Sequence, residues 1–222
     1  MANRPLAGSH LMGEDETPVT SVVSFKQAKE LAKKHGTPLI VCDLKKVKQN
    51  YRQLKSLFPK TDLYFAVKAN PLPEIIKTLI KEGANFDVAS MNEIKLCLEL
   101  GAKPESLLYA NPVKRSDHIE YAYKHKVTRF TFDSPEELDK MAKYAPGSEV
   151  ILRLVVCDVG SFCKFSTKFG ARESSALPLL KKAVSLGLHP IGLSFHVGSQ
   201  CMRMDNFSTA LEVCSRVLSE AE

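Results

Sequence analysis

From residue 63 onward, short apolar segments alternate with amphipathic ones, and this alternation constrains the fold more than any other feature. The apolar segments have the length and composition of strands, and the amphipathic segments have the period of helices. The predicted strands are Leu63–Val67, Asn85–Ala89, Leu107–Ala110, Arg129–Phe132, Val150–Val156 and Ile191–Val197, and the predicted helices are Glu74–Glu82, Asn92–Leu100, Asp117–His125, Pro135–Tyr144, Ala176–Leu186 and Asn206–Ser219. Such a repeat predicts an α/β fold with a parallel sheet covered by helices.

The chain before this alternation is organised differently. A helix is predicted over Ser24–His35, a short strand over Leu39–Cys42, and a second helix that ends near Phe58. Residues 1–20 are polar and aperiodic, so we expect a disordered or tag-derived segment there. The remainder, residues 21–222, is predicted to be one barrel-forming region.

Composition excludes several classes of function. The net charge is +6 over 222 residues, but the lysines are interspersed with glutamates, so we expect no nucleic-acid partner. No apolar stretch is long enough to span a membrane, and no apolar segment of a signal peptide follows the start. The six cysteines form no C-x-x-C pair and have no metal-ligand spacing. We therefore expect a cytoplasmic protein without a metal site.

Polar residues at the predicted strand ends favour a closed barrel over an open, doubly wound sheet. In a barrel of alternating strands and helices, the C-terminal strand ends form one face that carries the active site. The residues at these ends are Lys68, Asp87, Ser90, Asn111, Asp133, Arg153, His196 and Ser199. No G-x-G-x-x-G follows the first strand, so a dinucleotide-binding fold is disfavoured. Because a (β/α)8 TIM-type barrel needs eight strands, six predicted strands indicate an incomplete barrel.

Lys68 is the polar residue with the most specific chemical potential. It ends the apolar segment Tyr64–Val67 and is followed at once by Asn70-Pro71, which breaks the strand. A lysine amine held at such a position can attack a carbonyl group or hold an aldehyde cofactor as a Schiff base. The alternative is a lysine that ends the strand and points into water.

Six motifs in order then resemble a known enzyme family. They are Tyr64-Phe65-Ala66-Val67-Lys68-Ala69-Asn70, Phe86-Asp87-Val88-Ala89-Ser90, Tyr109-Ala110-Asn111-Pro112, Thr131-Phe132-Asp133-Ser134, Lys168-Phe169-Gly170 and Ser194-Phe195-His196-Val197-Gly198-Ser199. Together they resemble the barrel half of the ornithine/lysine/diaminopimelate/arginine decarboxylases. These enzymes use pyridoxal 5′-phosphate (PLP) and have an alanine-racemase-like barrel. The ornithine decarboxylase branch, in its bacterial form, is the most similar.

The resemblance implies that PLP is the cofactor and that Lys68 binds it and later carries a proton. His196 matches the histidine that stacks on the cofactor ring; a histidine bonded to backbone at a strand end is the alternative. Ser199 matches a residue that contacts the phosphate, and it could also cap a following helix.

Two buried charges are further site candidates. Asp87 matches an acidic residue beside the lysine, where it would favour the protonated amine. Arg153 interrupts an apolar strand and matches the polar network near the cofactor; a structural ion pair at the barrel mouth is the alternative. Glu93 has a sufficient structural role in a capping box with Ser90, so it is not proposed as catalytic.

The segment Cys157–Gly170 is long for a loop of this fold. It lies at the predicted active-site face, where it could close over the reaction and exclude water. A flexible surface loop is the alternative.

The implied function is decarboxylation of a basic amino acid. The favoured reaction is that of L-ornithine to putrescine, for polyamine synthesis. Lysine, diaminopimelate and arginine decarboxylases remain alternatives, as does an inactive homologue that regulates a partner. The resemblance also implies a homodimer with shared active sites. We expect the phosphate loop, the acid at the ring nitrogen, the substrate-binding residues and the C-terminal β-domain of the family to lie beyond Glu222. The chain alone is therefore expected to bind PLP weakly and to be inactive.

Overall fold

A computed structural model describes residues 23–221. The chain divides into two compact units, Met1–Asp43 and Leu44–Glu222. The prediction for residues 1–20 lies outside the described residues. In the first unit, helix α1 (Phe25–His35) begins after Ser24, whose hydroxyl accepts a hydrogen bond from the Gln27 backbone.

The predicted strand at Leu39–Cys42 is wrong, because residues 39–42 form no regular secondary structure. Ile40 is 95% exposed. Apolar, β-branched residues form a strand only where a neighbouring strand and a buried face receive them, so composition alone was misleading here.

The second unit contains eight strands, seven α-helices and two short 3-10 helices among the described residues. The strands are β1 (Tyr64–Ala66), β2 (Asn85–Val88), β3 (Leu107–Tyr109), β4 (Arg129–Phe132), β5 (Glu149–Leu154), β6 (Ser161–Cys163), β7 (His189–Phe195) and β8 (Ser199–Cys201). The helices are α2 (Leu44–Leu57), α3 (Pro73–Lys81), α4 (Met91–Glu99), α5 (Ser116–Lys124), α6 (Pro135–Tyr144), α7 (Glu173–Ser185) and α8 (Asp205–Ala221).

Six strands form one parallel sheet in the order β1-β2-β3-β4-β5-β7. This confirms the predicted α/β fold with six strands of a TIM-type barrel. Strands β6 and β8 form a separate antiparallel ribbon that the sequence did not predict. Each ribbon strand has only three residues, several of them polar or exposed, so neither shows the pattern of a buried strand.

The core lies between the sheet and its helices. Along β5, Val150, Leu152 and Leu154 are buried towards the helices, whereas Arg153 lies on the opposite face. Burying an aliphatic or aromatic side chain of this size contributes about 1.5–3 kcal/mol. The alternation therefore directs one residue in two to the core and leaves the others to line the inside of the curved sheet.

Helix starts follow the predicted caps. The Ser90 hydroxyl accepts the Glu93 backbone N–H, and the Ser134 hydroxyl accepts the Glu137 backbone N–H, each at 3.3 Å. The Glu93 carboxylate accepts the Ala89 backbone N–H at 2.7 Å and not that of Ser90, so the predicted capping box lacks its reciprocal bond. These caps start α4 and α6 directly after β2 and β4, so the strand ends are held at one edge of the sheet.

Within residues 23–221, no helix combines the length and apolarity needed to cross a membrane.

Candidate active site

The C-terminal ends of the parallel strands surround a cavity of about 650 Å³. All five predicted site residues line it: Lys68, Asp87, Arg153, His196 and Ser199. They come from the ends of four different strands and from the ribbon, so only the fold brings them together. Thr131, Phe169 and Ser194 also line the cavity; they lie within the six motifs, but no role is predicted for them from the sequence. Phe165, a further lining residue, lies outside those motifs.

Lys68 lies in a single turn of 3-10 helix, Val67–Ala69, directly after β1. Val67 is completely buried and anchors this turn, while Lys68 lies on the cavity wall. The Asn70 side chain accepts the Leu72 backbone N–H at 3.2 Å and shapes the exit of the chain. Within the described part of the chain, no hydrogen bond or ion pair engages the Lys68 amine. The amine is therefore available to a ligand in the cavity.

Asp87 projects from β2, where its register partner on β1 is Ala66. Burial raises the pKa of the Asp87 carboxyl, and the positive charges of Lys68 and Arg153 oppose that shift. Burial penalises the charged form of a carboxyl group, whereas nearby cations favour it. Asp87 is thus an acidic group whose protonation responds to whatever changes the charge on Lys68.

Arg153 lies on β5, opposite Ser194 of β7. Its guanidinium carbon is 5.1 Å from the centroid of the Phe169 ring, a cation–π geometry. Burial lowers the Arg153 pKa, and the charges of Asp133 and Asp87 oppose this. Among residues 23–221 no carboxylate forms an ion pair with the guanidinium, so the structural ion pair considered above is not found.

His196 follows β7, and its ring orientation is set by the backbone. The Gly198 N–H donates to His196 Nδ1 at 2.9 Å, so the neutral imidazole carries its proton on Nε2. Partial burial lowers the His196 pKa, and the nearby cations Arg153 and Lys68 lower it further. The Phe165 ring meets the imidazole edge-on at a centroid distance of 4.9 Å.

Gly198 is required for this arrangement. Its φ is +93°, and a Cβ atom there would lie 2.5 Å from the Cβ of Ser161 on β6. The Ser161 hydroxyl in turn donates to the Val197 carbonyl at 2.6 Å. A larger residue at 198 would push β6 away from the turn that orients His196.

Ser199 is the first residue of β8 and pairs with Cys163 of β6. Because α8 begins only at Asp205, Ser199 does not cap that helix, and this alternative is wrong. Ser199 does line the cavity, and its contact with a phosphate group stays a prediction.

The segment between β5 and α7 is held by internal bonds and is not a loose loop. Asp158 is only 4% exposed, and its carboxylate accepts the backbone N–H groups of Phe165 and Ser166, each at 2.8 Å. The Ser166 hydroxyl donates to it as well, at 2.9 Å. Asp158 thereby shapes the turn that carries Phe165 to His196 and Phe169 to Arg153. The sequence offered one signal for this role, a lone acid in a long segment rich in Ser, Thr and Lys.

The Gly170 backbone N–H donates to the Asp133 carboxylate at 2.8 Å. A Cβ atom at Gly170, where φ is +100°, would lie 2.6 Å from the Val155 backbone nitrogen. The segment therefore closes back onto β5 only with glycine at this position.

A second lysine close to the cavity is buried and saturated with acceptors. Lys114 Nζ lies 2.9 Å from the Glu137 carboxylate, 2.6 Å from the Thr131 carbonyl oxygen and 3.0 Å from the Asn111 carbonyl oxygen. Burial lowers its pKa to about 8, an effect that the charge of Glu137 opposes. Sequence reasoning missed this pair, because residues 23 positions apart gave no pattern that joined them.

Within the described range, no cluster of His, Cys, Asp and Glu side chains is suited to a metal ion.

Known proteins are similar to this chain in sequence and in fold. Residues 44–222 match the family described as pyridoxal-dependent decarboxylase, pyridoxal binding domain, and this match starts where the second compact unit starts. The lysine/ornithine decarboxylase of Selenomonas ruminantium is 44% identical over 200 residues, which are 90% of this chain and 51% of that protein.

Ornithine decarboxylase of Rattus norvegicus is 41% identical over 172 residues, covering 77% of this chain and 37% of that protein. The crystal structure of an SrLDC mutant in complex with PLP superposes with a TM-score of 0.87 at 43% identity; the match covers 90% of this chain and 52% of that one. The chain thus spans between 37% and 52% of the length of these relatives. It belongs to the family of pyridoxal-dependent decarboxylases, and the cofactor of its barrel is PLP.

Proposed function

We propose that this barrel carries the PLP site of an enzyme that decarboxylates a basic amino acid, with L-ornithine as the substrate and putrescine as the product. The observation that carries the proposal is the Lys68 amine, which has no protein acceptor within residues 23–221 and lies on a cavity shared with Asp87, Arg153 and His196. Because the chain spans about half or less of the length of these relatives, activity is proposed for a polypeptide that also carries the part found beyond this domain in those relatives.

The residues present fit PLP. An aldehyde needs a primary amine, which Lys68 provides, and an anionic phosphate needs donors or cations, which Ser199 and Arg153 provide. The imidazole of His196 offers a flat face to an aromatic ring. When bound, PLP supplies an electron sink for the pair of electrons left by departing carbon dioxide.

The chain's own contribution is control of protons around that sink. Lys68 must be neutral to attack an aldehyde, and Asp87 is the acid whose charge interacts with it. Since burial raises the Asp87 pKa, this carboxyl group can hold a proton more readily than an exposed one. His196 is kept neutral by its lowered pKa and presents the Nε2 proton, because Nδ1 accepts the Gly198 N–H.

The family supports a basic amino acid as substrate, and the proposal goes further in choosing ornithine. Relatives named for ornithine include those of Rattus norvegicus and Selenomonas ruminantium, and the latter is also named for lysine. Lysine is therefore the second candidate substrate. Arginine and diaminopimelate rank after these two amino acids.

The test is carbon dioxide release, with identification of the amine product, from L-ornithine, L-lysine, L-arginine and diaminopimelate offered separately. The polypeptide contains this barrel and the region that the relatives have beyond it. We expect the highest kcat/KM for ornithine and no product from the Lys68→Met variant. Absence of decarboxylation with all four substrates, despite PLP binding, would instead favour an inactive homologue.

The proposed homodimer with shared active sites is tested on the same polypeptide. We expect the mass of a dimer in sedimentation equilibrium. Mixing two variants, each inactivated in a different part of the site, should restore activity if the sites are shared.

A further inference from the structure

Two buried hydroxyl groups lack a hydrogen-bond partner within residues 23–221. They belong to Ser148 and Ser194. A buried polar group without a partner is destabilising, so each calls for an explanation, such as a bound molecule. Their positions in the barrel are different, and the difference points to a function for only one of them.

Ser194 lies at the cavity. It is on β7, opposite Arg153 of β5 and two residues before His196. Residues two apart on a strand, and register partners on neighbouring strands, share one face of a sheet. Ser194 therefore shares the inner face with Arg153 and lies among the residues that line the cavity.

Ser148 lies at the other end of the sheet, directly before β5. It is completely buried and is not among the residues that line the cavity. Its backbone carbonyl accepts the His189 N–H at 2.9 Å, so its main chain is engaged while its hydroxyl is not. Ser148 is thus a control for Ser194, because its hydroxyl is also buried and unpaired but does not line the cavity.

We propose that the Ser194 hydroxyl donates a hydrogen bond to an oxygen atom of bound PLP. This inference rests on the proposed function and adds a cofactor-binding residue to it. The neighbouring Arg153 guanidinium favours a negatively charged oxygen at this position, and a hydroxyl is a good donor to such an acceptor. PLP rather than the substrate is the acceptor because a contact made only by the substrate would leave the hydroxyl unpaired in the resting enzyme.

The experiment uses the polypeptide that contains this barrel and the region that the relatives have beyond it. The cofactor-free form is titrated with PLP and followed by absorbance, for the unaltered protein, Ser194→Ala, Ser194→Thr and Ser148→Ala. We expect Ser194→Ala to weaken PLP binding about tenfold, the loss typical of one hydrogen bond to a charged group. Ser194→Thr, which keeps the hydroxyl, should restore most of the affinity. Ser148→Ala should bind PLP like the unaltered protein.

Thermal unfolding of the cofactor-free proteins provides a second measurement, in which the alanine substitutions are expected to cause no loss. Removing an unpaired hydroxyl should leave the melting temperature of both alanine variants equal to or above that of the unaltered protein. PLP should then raise the melting temperature of Ser148→Ala more than that of Ser194→Ala.

Three results would overturn the inference. One is equal PLP affinity for Ser194→Ala and the unaltered protein, even if KM for the amino acid rises, because the hydroxyl would then serve the substrate. Another is a clear drop in the melting temperature of cofactor-free Ser194→Ala, because the hydroxyl would then be bonded without PLP. If the unaltered protein fails to bind PLP, the proposed function falls and this inference falls with it.

Discussion

Lys68 and Lys114 both follow strands of the same sheet, yet the fold surrounds their amines in opposite ways. The Lys114 amine is fully buried and is bonded to the Glu137 carboxylate and to main-chain carbonyl oxygens. The Lys68 amine lies on the cavity wall and has no such acceptor within residues 23–221. An amine whose hydrogen bonds are all accepted by protein groups stabilises the fold, whereas an amine without protein acceptors beside a cavity is available for chemistry.

The acidic partners differ in the same way. Glu137 is buried and ion-paired to both Lys114 and Lys140, at 2.9 Å and 2.6 Å. Asp87 acts on Lys68 through its charge, and no ion pair between the two is found within residues 23–221. The comparison therefore separates a structural pair, Lys114 and Glu137, from a pair available for chemistry, Lys68 and Asp87. The predictions for Lys114, Asp87 and Lys68 test it, and the prediction for Asp158 tests a second structural carboxylate.

The largest expected effect on stability is that of Lys114→Met. The substitution removes one of the two cations that pair with the buried Glu137 carboxylate and leaves Lys140 as the other. It also removes the donor to two main-chain carbonyl oxygens, so we expect the free energy of unfolding to fall by about 3 kcal/mol. Urea denaturation measures it. Lys124→Met removes an exposed partner of Glu120 and should change stability by less than about 1 kcal/mol. Equal losses in the two variants would remove the distinction between buried and exposed lysines.

Asp158→Asn should have the next largest effect. The carboxylate accepts three hydrogen bonds, so losing its charge should cost about 2 kcal/mol. These bonds, led by that from the Ser166 backbone, lower the Asp158 pKa. A lowered folded-state pKa means that this stabilisation is present above the unfolded pKa and is lost as the pH falls through the folded value.

Protease digestion between β5 and α7 measures the local effect of Asp158→Asn. Asp62→Asn, at an exposed position, is the control and should leave the digestion pattern unchanged. Resistance of the Asp158 variant equal to that of the unaltered protein would show that other contacts hold the segment.

Asp87→Asn should have a smaller effect on stability, with the opposite sign in its pH dependence. Because burial raises the Asp87 pKa, the folded state binds the proton more tightly, and stability is lost as the pH rises from the unfolded pKa through the folded one. The variant should lack this loss. The free energy of unfolding of the unaltered protein and of Asp87→Asn is compared between about pH 4 and pH 7. This range starts near the pKa of an ordinary Asp, about 3.9. Parallel pH profiles would contradict the assignment of Asp87 as a desolvated acid.

Lys68→Met should change stability least. An exposed lysine without a hydrogen bond contributes little to folding, so the free energy of unfolding should stay within about 0.5 kcal/mol. Urea denaturation beside Lys114→Met gives the sharpest contrast between the lysines. A loss as large as that of Lys114→Met would show that Lys68 is structural.

The sequence predicted the sheet, its helices and the positions of Lys68, Asp87, Arg153, His196 and Ser199, because periodicity and strand-end polarity are local signals. It did not predict the Lys114–Glu137 pair, which depends on the packing of α6 against the chain after β3. Nor did it predict that Asp158 would order the segment bearing Phe165 and Phe169, since that role depends on hydrogen bonds seven and eight residues away. The wrongly predicted strand at Leu39–Cys42 is the opposite case: its local pattern is typical of a strand, but residues 39–42 form no strand.

The difference between the two lysines is tested most directly on the folded polypeptide that contains this barrel and the region that the relatives have beyond it. This polypeptide is treated with PLP, reduced with borohydride and mapped by mass spectrometry of its peptides. We expect a pyridoxyl group on Lys68 at low PLP concentration, none on Lys114, and loss of the label in Lys68→Met. Labelling of Lys114, or labelling of surface lysines as readily as Lys68, would contradict the role of Lys68 as the cofactor lysine.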